Sequence, residues 1–131
     1  MIFVDANVPM YLVGRPHRHK VDAQLALERL AAERRRLLTS SEVFQEVLHR
    51  YVSTDRRDRI EPAFEVLQSL VDDVLPVEEQ DVFLAKDLVH AHSSLSARDA
   101  LHAAVMRRRK IAEIVTFDRG FDELSGIKRL P

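Results

Sequence analysis

Apolar positions along the chain follow two rhythms that alternate. Short unbroken runs, Ile2-Phe3-Val4, Leu37-Leu38-Thr39, Val74-Leu75-Pro76-Val77, Ile114-Val115-Thr116-Phe117 and a final run over 127–130, are rich in β-branched and aromatic residues and predict strands. Runs without polar alternation are expected where a strand is covered on both faces, and Pro76 marks the third as an end or an edge. Between the runs the spacing is helical. Residues 7–13 predict a short helix with Pro9 in its first turn, broken by Gly14, Arg15 and Pro16. A second helix is predicted over 21–36, with Leu27, Leu30 and Ala31 inward. Val43, Phe44, Val47, Leu48 and Tyr51 form the clearest amphipathic stripe, and further helices are predicted over 62–71, 80–91 and 97–109. Strands alternating with longer helices imply βαβ units. The expected fold is therefore α/β: three layers, with a central, mainly parallel sheet of four to five strands flanked by helices.

In such sheets ligands bind outside the carboxyl ends of the strands. Asp5 follows the first strand and Asp118 the fourth, while Asp99 lies in the first turn of the helix leading into that fourth strand. Glu42 and Glu46 lie in the helix after the second. Each acid has a structural reading. Asp5 could cap a helix, Ser96-Ala97-Arg98-Asp99 and Thr39-Ser40-Ser41-Glu42 both read as capping boxes, and Asp118 could open a turn with Gly120. Glu42 is assigned to its cap. Glu46 is too deep for one and adjoins the apolar stripe. Carboxylates gathered at one sheet edge repel one another, and a hard divalent cation relieves that conflict. Mg²⁺ suits such a set because it accepts one or two carboxylates and leaves room for phosphate oxygens, a composition fit for phosphodiester hydrolysis.

Composition narrows the alternatives. The chain has 131 residues, enough for one domain over 1–131, and no cysteine, which excludes disulfides and thiolate sites and fits a reducing cytoplasm. The apolar start is too short for a signal peptide, and no run approaches the ~20 apolar residues of a membrane span. Net charge is −1, yet basic residues cluster at Arg34-Arg35-Arg36, at Arg56, Arg57 and Arg59, and at Arg107-Arg108-Arg109-Lys110. These clusters read as helix ends or as phosphate contacts. No phosphate-binding or dinucleotide glycine loop occurs. His17-Arg18-His19-Lys20 lacks partner ligands at a zinc spacing, and His102, one turn beyond Asp99, reads as a packed structural histidine.

Taken together, Val4-Asp5-Ala6-Asn7, the stretch from Ser40 to Leu48, Ser96 to Ala104, and Thr116-Phe117-Asp118-Arg119-Gly120-Phe121 resemble, in order, the four motifs of the PIN-domain family, specifically the VapC-type toxins. The resemblance spans essentially the whole chain and implies a single PIN domain with a Mg²⁺- (or Mn²⁺-) dependent endoribonuclease activity that inhibits translation. It implies Asp5, Glu46, Asp99 and Asp118 as catalytic acids, with Asp5 and Asp99 as principal metal ligands. Asn7, Ser40 and Thr116 would hold the acids by hydrogen bonds, Thr116 from the same side of the strand as Asp118. Asp122, one turn beyond Asp118, is a possible additional acid. RNA as substrate, a cognate VapB-type antitoxin and a homodimer are the implied partners. A non-catalytic PIN-like module that binds RNA or protein is the main alternative. A haloacid-dehalogenase-like phosphatase would want an aspartate where Asn7 stands, and a receiver domain would want its acceptor aspartate after the third strand.

Overall fold

The computed structural model describes residues 1–130. Five strands, β1 (Ile2–Val4), β2 (Leu37–Ser40), β3 (Asp73–Leu75), β4 (Glu113–Val115) and β5 (Lys128–Leu130), form one sheet in the order β3-β2-β1-β4-β5, parallel throughout. Six helices flank it: α1 (Asn7–Val13), α2 (Arg18–Ala32), α3 (Ser41–Ser53), α4 (Ile60–Leu70), α5 (Glu79–Ala91) and α6 (Ala97–Arg108). The α/β architecture expected from the alternating rhythms is the one found, as is the edge position of β3, which ends just before Pro76.

The apolar runs explain the sheet order. Ile2, Phe3 and Val4 have no solvent exposure, as the central strand of a sheet covered on both faces requires, whereas two of the three residues of edge strand β3 are exposed. Register pairs Val4 with Val115 and Phe3 with Leu38, so β1, β2 and β4 end side by side. Whatever follows each of these strands is delivered to a common edge. That delivery is what the fold does for the site.

Boundaries shifted where side chains intervene. Helix α2 starts before the periodic stretch because the His17 Nδ1 accepts a hydrogen bond from the His19 amide at 3.0 Å and caps it. It stops at Ala32, and Arg34 then takes a positive φ of 54° that turns the chain towards β2. Ala31 consequently faces solvent, and Ala23 and Ala26 join Leu27 and Leu30 in the core instead. Leu48 likewise leaves the buried stripe of α3. Strand β4 ends at Val115, two residues earlier than its apolar run, so Thr116 and Phe117 lie beyond it.

The basic run at the end of α6 is partly structural. Arg108 donates from Nε to Asp81 Oδ1 at 2.7 Å and from Nη2 to Asp81 Oδ2 at 3.0 Å and to the Pro76 carbonyl at 2.9 Å. Asp81 is buried and also accepts from the Glu78 amide in the capping box of α5, so the Asp81–Arg108 pair fastens α5 to α6 and, through Arg108, to the residue after β3. Arg107 is committed to the Ser125 carbonyl. Arg108→Ala would strand the Asp81 charge between the two helices. A loss of roughly 2 kcal/mol in urea unfolding is expected, below the ~3–5 kcal/mol of a fully enclosed pair because the Arg108 side chain keeps 18% exposure. An unchanged urea midpoint would show that the pair contributes no more than an exposed one.

Candidate active site

The first residue beyond β1 is Asp5, with 3% of its surface exposed. Its Oδ1 accepts from the Ala6 amide at 2.7 Å, and its Oδ2 accepts from the Thr116 hydroxyl at 2.7 Å. Thr116 is the first residue beyond the neighbouring strand β4, so this bond joins two strand ends. The same hydroxyl oxygen accepts from Asn7 Nδ2 at 3.1 Å and from the Asp118 amide at 3.0 Å. Asn7 Oδ1 in turn accepts from the Phe117 amide at 3.4 Å. Thr116 therefore bonds Asp5 directly and Asp118 through the backbone after the strand, not by alternation along it, whereas Asn7 bonds no acid and reaches the group only through Thr116 and Phe117.

Asp99 is the third residue of α6. The Ser96 hydroxyl accepts from its amide at 3.1 Å, which caps the helix. The Asp99 side chain is thereby left free to meet Asp118, with which it forms a carboxyl–carboxylate hydrogen bond. Asp118 Oδ1 also accepts from the Gly120 amide at 2.8 Å. A side chain at Gly120 would put its Cβ 3.1 Å from Asp118 Oδ1 and 3.6 Å from Asp99 Oδ2, which is why the turn carries glycine there.

The remaining acid comes from α3. Ser40 caps this helix, its hydroxyl accepting from the Val43 amide at 3.4 Å. That corrects two expectations. Ser40 bonds no acid and acts by aiming the helix; Glu42 completes no capping box and lies instead 4.0 Å from Arg98 on the rim of the site. Glu46, one turn on, is buried. Its Oε1 lies 2.9 Å from His102 Nε2 and its Oε2 lies 3.2 Å from Arg50 Nε. His102 Nε2 is also 3.7 Å from Asp5 Oδ1, so this fully buried ring stands between two carboxylates. His102 is the residue that the sequence reading left in the core; its only signal was its place one turn from Asp99. Asp122 does not join the group. It faces outward and accepts from Arg129 at 3.1 and 3.3 Å.

Charge is shared out unevenly. Burial raises the Asp5 pKa, against the His102 charge and the bonds from Thr116 and Ala6. Asp99 is pushed up to about 8 by burial first, then by the shared hydrogen bond with Asp118 and the nearby Asp5 charge. The bond from Asp99 lowers the Asp118 pKa. The two therefore hold one proton between them, carried by Asp99. Burial would also raise Glu46, but His102 and Arg50 outweigh it and hold it down. Burial would lower His102, yet the bond to Glu46 and the charges of Asp5 and Asp99 raise it.

The donor chemistry fits a hard divalent cation. Asp5, Glu46 and His102 form the tightest group, with ligand atoms all within 4.8 Å of one another. However, all three are buried and the imidazole Nε2 is already bonded to Glu46, so His102 serves as their counter-charge. Glu46, Asp99 and Asp118 line an open cavity of about 650 Å³ with Gly120 and Arg50, and Asp5 lies behind them. An oxygen-only set at the mouth of that cavity suits Mg²⁺ or Mn²⁺ better than a metal that prefers imidazole.

Comparison with known proteins follows the same pattern. The PIN domain family model matches residues 2–127. Ribonuclease VapC13 of Mycobacterium tuberculosis (strain ATCC 25618 / H37Rv) is 53% identical over 130 residues, which is 99% of each chain. Among solved structures, VapC20 of Mycobacterium tuberculosis, a sarcin–ricin loop cleaving toxin, superposes with a TM-score of 0.76 at 24% identity over 94% of both chains. A chain of a toxin–antitoxin complex from Klebsiella pneumoniae gives a TM-score of 0.69 at 18% identity, covering 98% of this chain and 96% of that one. At these identities the structural matches speak for the fold alone.

The shared proton makes cation binding pH-dependent. A cation held by Asp99 must displace it, so below pH 8 binding should release up to one proton, and affinity should rise about tenfold per pH unit before levelling above pH 8. Calorimetry with Mn²⁺ in buffers of different ionisation enthalpy measures both. Affinity that is flat between pH 6 and 8 would show that no proton is shared.

Proposed function

This chain belongs to the PIN domain family, and from that membership we propose that it is a Mg²⁺- or Mn²⁺-dependent endoribonuclease, the toxin of a type II toxin–antitoxin pair that inhibits translation by cutting RNA. The observation that carries the reading is the meeting of Glu46, Asp99 and Asp118 at an open cavity, with Asp5 behind them. Support for ribonuclease chemistry comes from the relative at 53% identity, which is named a ribonuclease.

Asp5 and Asp99 are the residues that would hold the cation, with Glu46 and Asp118 completing the acidic pocket. The chemistry supplied by such a cation is Lewis acidity towards phosphate and water. The protein's own part is alignment. Thr116 fixes Asp5 and the Asp118 backbone through one hydroxyl, so two ligands cannot move independently. Arg50 and His102 hold Glu46 ionised and in place. Asp118, the ionised member of its pair, orients a water towards phosphorus and takes its proton. The water oxygen bonds to phosphorus, the ester P–O bond breaks, and the departing alkoxide is protonated from solvent. The Asn7 side chain is spent on Thr116 and Phe117, which leaves the phosphatase reading without the second aspartate it needs.

A VapB-type antitoxin is the proposed partner, and an arginine from it would pair readily with these carboxylates. No helix among the described residues is long and apolar enough to cross a membrane, consistent with the proposed cytoplasmic location. The proposed homodimer would use the exposed apolar side of α5, where Val82 and Phe83 keep 51% and 57% of their surface. Light scattering should give a dimer that Phe83→Glu converts to monomer. Mass unchanged by that substitution would move the interface elsewhere.

Cleavage of single-stranded RNA should require Mg²⁺ or Mn²⁺ and stop with EDTA. Asp5→Asn and Asp99→Asn should abolish it, and Thr116→Val, which keeps the shape and removes the hydroxyl, should slow it roughly 10–100-fold. Cutting that survives both EDTA and Asp99→Asn would sink the mechanism.

A further inference from the structure

A second cavity, of about 370 Å³, opens beside the acidic one. Its walls come from α1, the 14–17 loop, the C-terminal half of α3 and the short 3₁₀ turn before α4. Tyr11, Arg15, His17, Arg50, Tyr51 and Arg59 supply its chemistry. Arg50, the partner of Glu46, lines both cavities, and Asn7, the partner of Thr116, lines this one. The two spaces are therefore adjoining parts of one surface.

Three features of the second cavity bear on what it could hold. First, Tyr11 and His17 stack with ring centroids 5.2 Å apart and planes 24° from parallel, at an exposed loop. Tyr11 also meets the edge of Phe117 at 5.3 Å, and Phe117 sits between Thr116 and Asp118, so this aromatic group is anchored to the acidic site itself. Second, the Arg15 and Arg59 guanidinium groups make no ion pair among the described residues, although Arg59 is half-buried. Third, Tyr51 is buried to 4% exposure, and its hydroxyl has no hydrogen-bond partner. A buried hydroxyl without a partner is costly, and the Tyr51 side chain that carries it forms part of the cavity wall, alongside Arg15 and Arg59.

An aromatic surface, unpaired guanidinium groups and a free hydroxyl are together the chemistry of a nucleotide: a base to stack, a phosphate to neutralise and a polar edge to bond. We propose that this cavity binds one unstacked nucleotide of the single-stranded RNA next to the phosphate to be cut, with its base against Tyr11 and His17, its phosphate on Arg59 or Arg15, and the Tyr51 hydroxyl on the ribose or base. This rests on the ribonuclease reading and adds to it a nucleotide subsite of named residues, one that only an unpaired strand can fill. A base within a duplex is stacked on both faces and could not enter. Arg50 would stand between the flanking nucleotide and the scissile phosphate, coupling occupancy of the cavity to the position of Glu46.

The test uses the full-length protein with EDTA, so that binding is read without cleavage. The probe is a short fluorescein-labelled single-stranded RNA, with an abasic site placed at each position in turn, and the readout is anisotropy. Arg59→Ala should weaken binding about tenfold and reduce the slope of log affinity against log salt by about 1. Tyr51→Phe, which preserves packing, should weaken it several-fold. At one position the abasic substitution should cost the native protein about tenfold and cost Tyr11→Leu nothing. Circular dichroism and urea midpoints confirm that the variants fold. If every abasic site costs Tyr11→Leu as much as the native chain, or if Arg59→Ala and Tyr51→Phe bind as the native chain does, the proposal is overturned while metal-dependent cleavage by the native chain still stands. Variants that bind RNA normally but escape a co-expressed antitoxin would make the cavity a protein contact and overturn it too. Native protein that cuts no RNA with Mn²⁺ defeats the ribonuclease reading itself.

Discussion

A single hydroxyl group holds the acidic edge of this sheet together. Thr116 Oγ1 has one proton to give and two lone pairs to offer, and all are used: the proton goes to Asp5, and the lone pairs receive Asn7 and the Asp118 amide. Each partner comes from a different place, the end of β1, the start of α1 and the turn after β4. Without that bond Asp5 would be a buried carboxylate with one backbone amide for support, and burial already raises its pKa. The bond is possible only because β1 and β4 are parallel neighbours in register, Val4 against Val115, so that the next residues of both strands emerge together. Sheet order, strand length and site geometry are in this sense one constraint.

The pattern of apolar residues made the scaffold readable because burial is a property of the residue itself. Ile2-Phe3-Val4 has no polar side chain to place, so it could only be a covered strand. The acids were readable for the opposite reason: Asp5, Asp99 and Asp118 stand directly against apolar runs, where a charge needs an explanation. What stayed hidden depends on partners far away in the chain. Arg108 looked like a helix-end charge because Asp81, its partner, is 27 residues away. His102 looked like core because its role is defined by Glu46, 56 residues away. Glu42 looked like a cap because Thr39 preceded it, but the Thr39 hydroxyl is taken by the Val4 carbonyl across the sheet, and the cap falls to Ser40. Local spacing predicts local bonds; it fails where a tertiary acceptor competes for the same donor.

The pKa directions describe a site held between two states. Four carboxylates are in one place, and the cation-free molecule answers with three devices: a proton shared by Asp99 and Asp118, a buried imidazole between Glu46 and Asp5, and Arg50 on the outer oxygen of Glu46. Two of these are permanent parts of the wall. The proton alone can be exchanged, and it sits on the acids nearest solvent. The displaceable charge and the open cavity thus coincide, which is where a cation would enter.

That arrangement also poses a problem for any polyanionic strand, since exposed carboxylates repel phosphate. The cations flanking the acids answer it by position. Arg98 is occupied at Glu42 and Arg50 at Glu46, and both stand at the rim, whereas Arg59 and Arg15 lie further out and unpaired. On the proposed path a strand would meet the unpaired guanidinium groups and the aromatic pair of one cavity beside the carboxylates of the other. Its flanking phosphates are attracted before its central one is repelled, so repulsion acts only at the phosphate that a cation at Asp5 and Asp99 would receive. On that reading, a slip by one nucleotide would put an unneutralised phosphate on the acids.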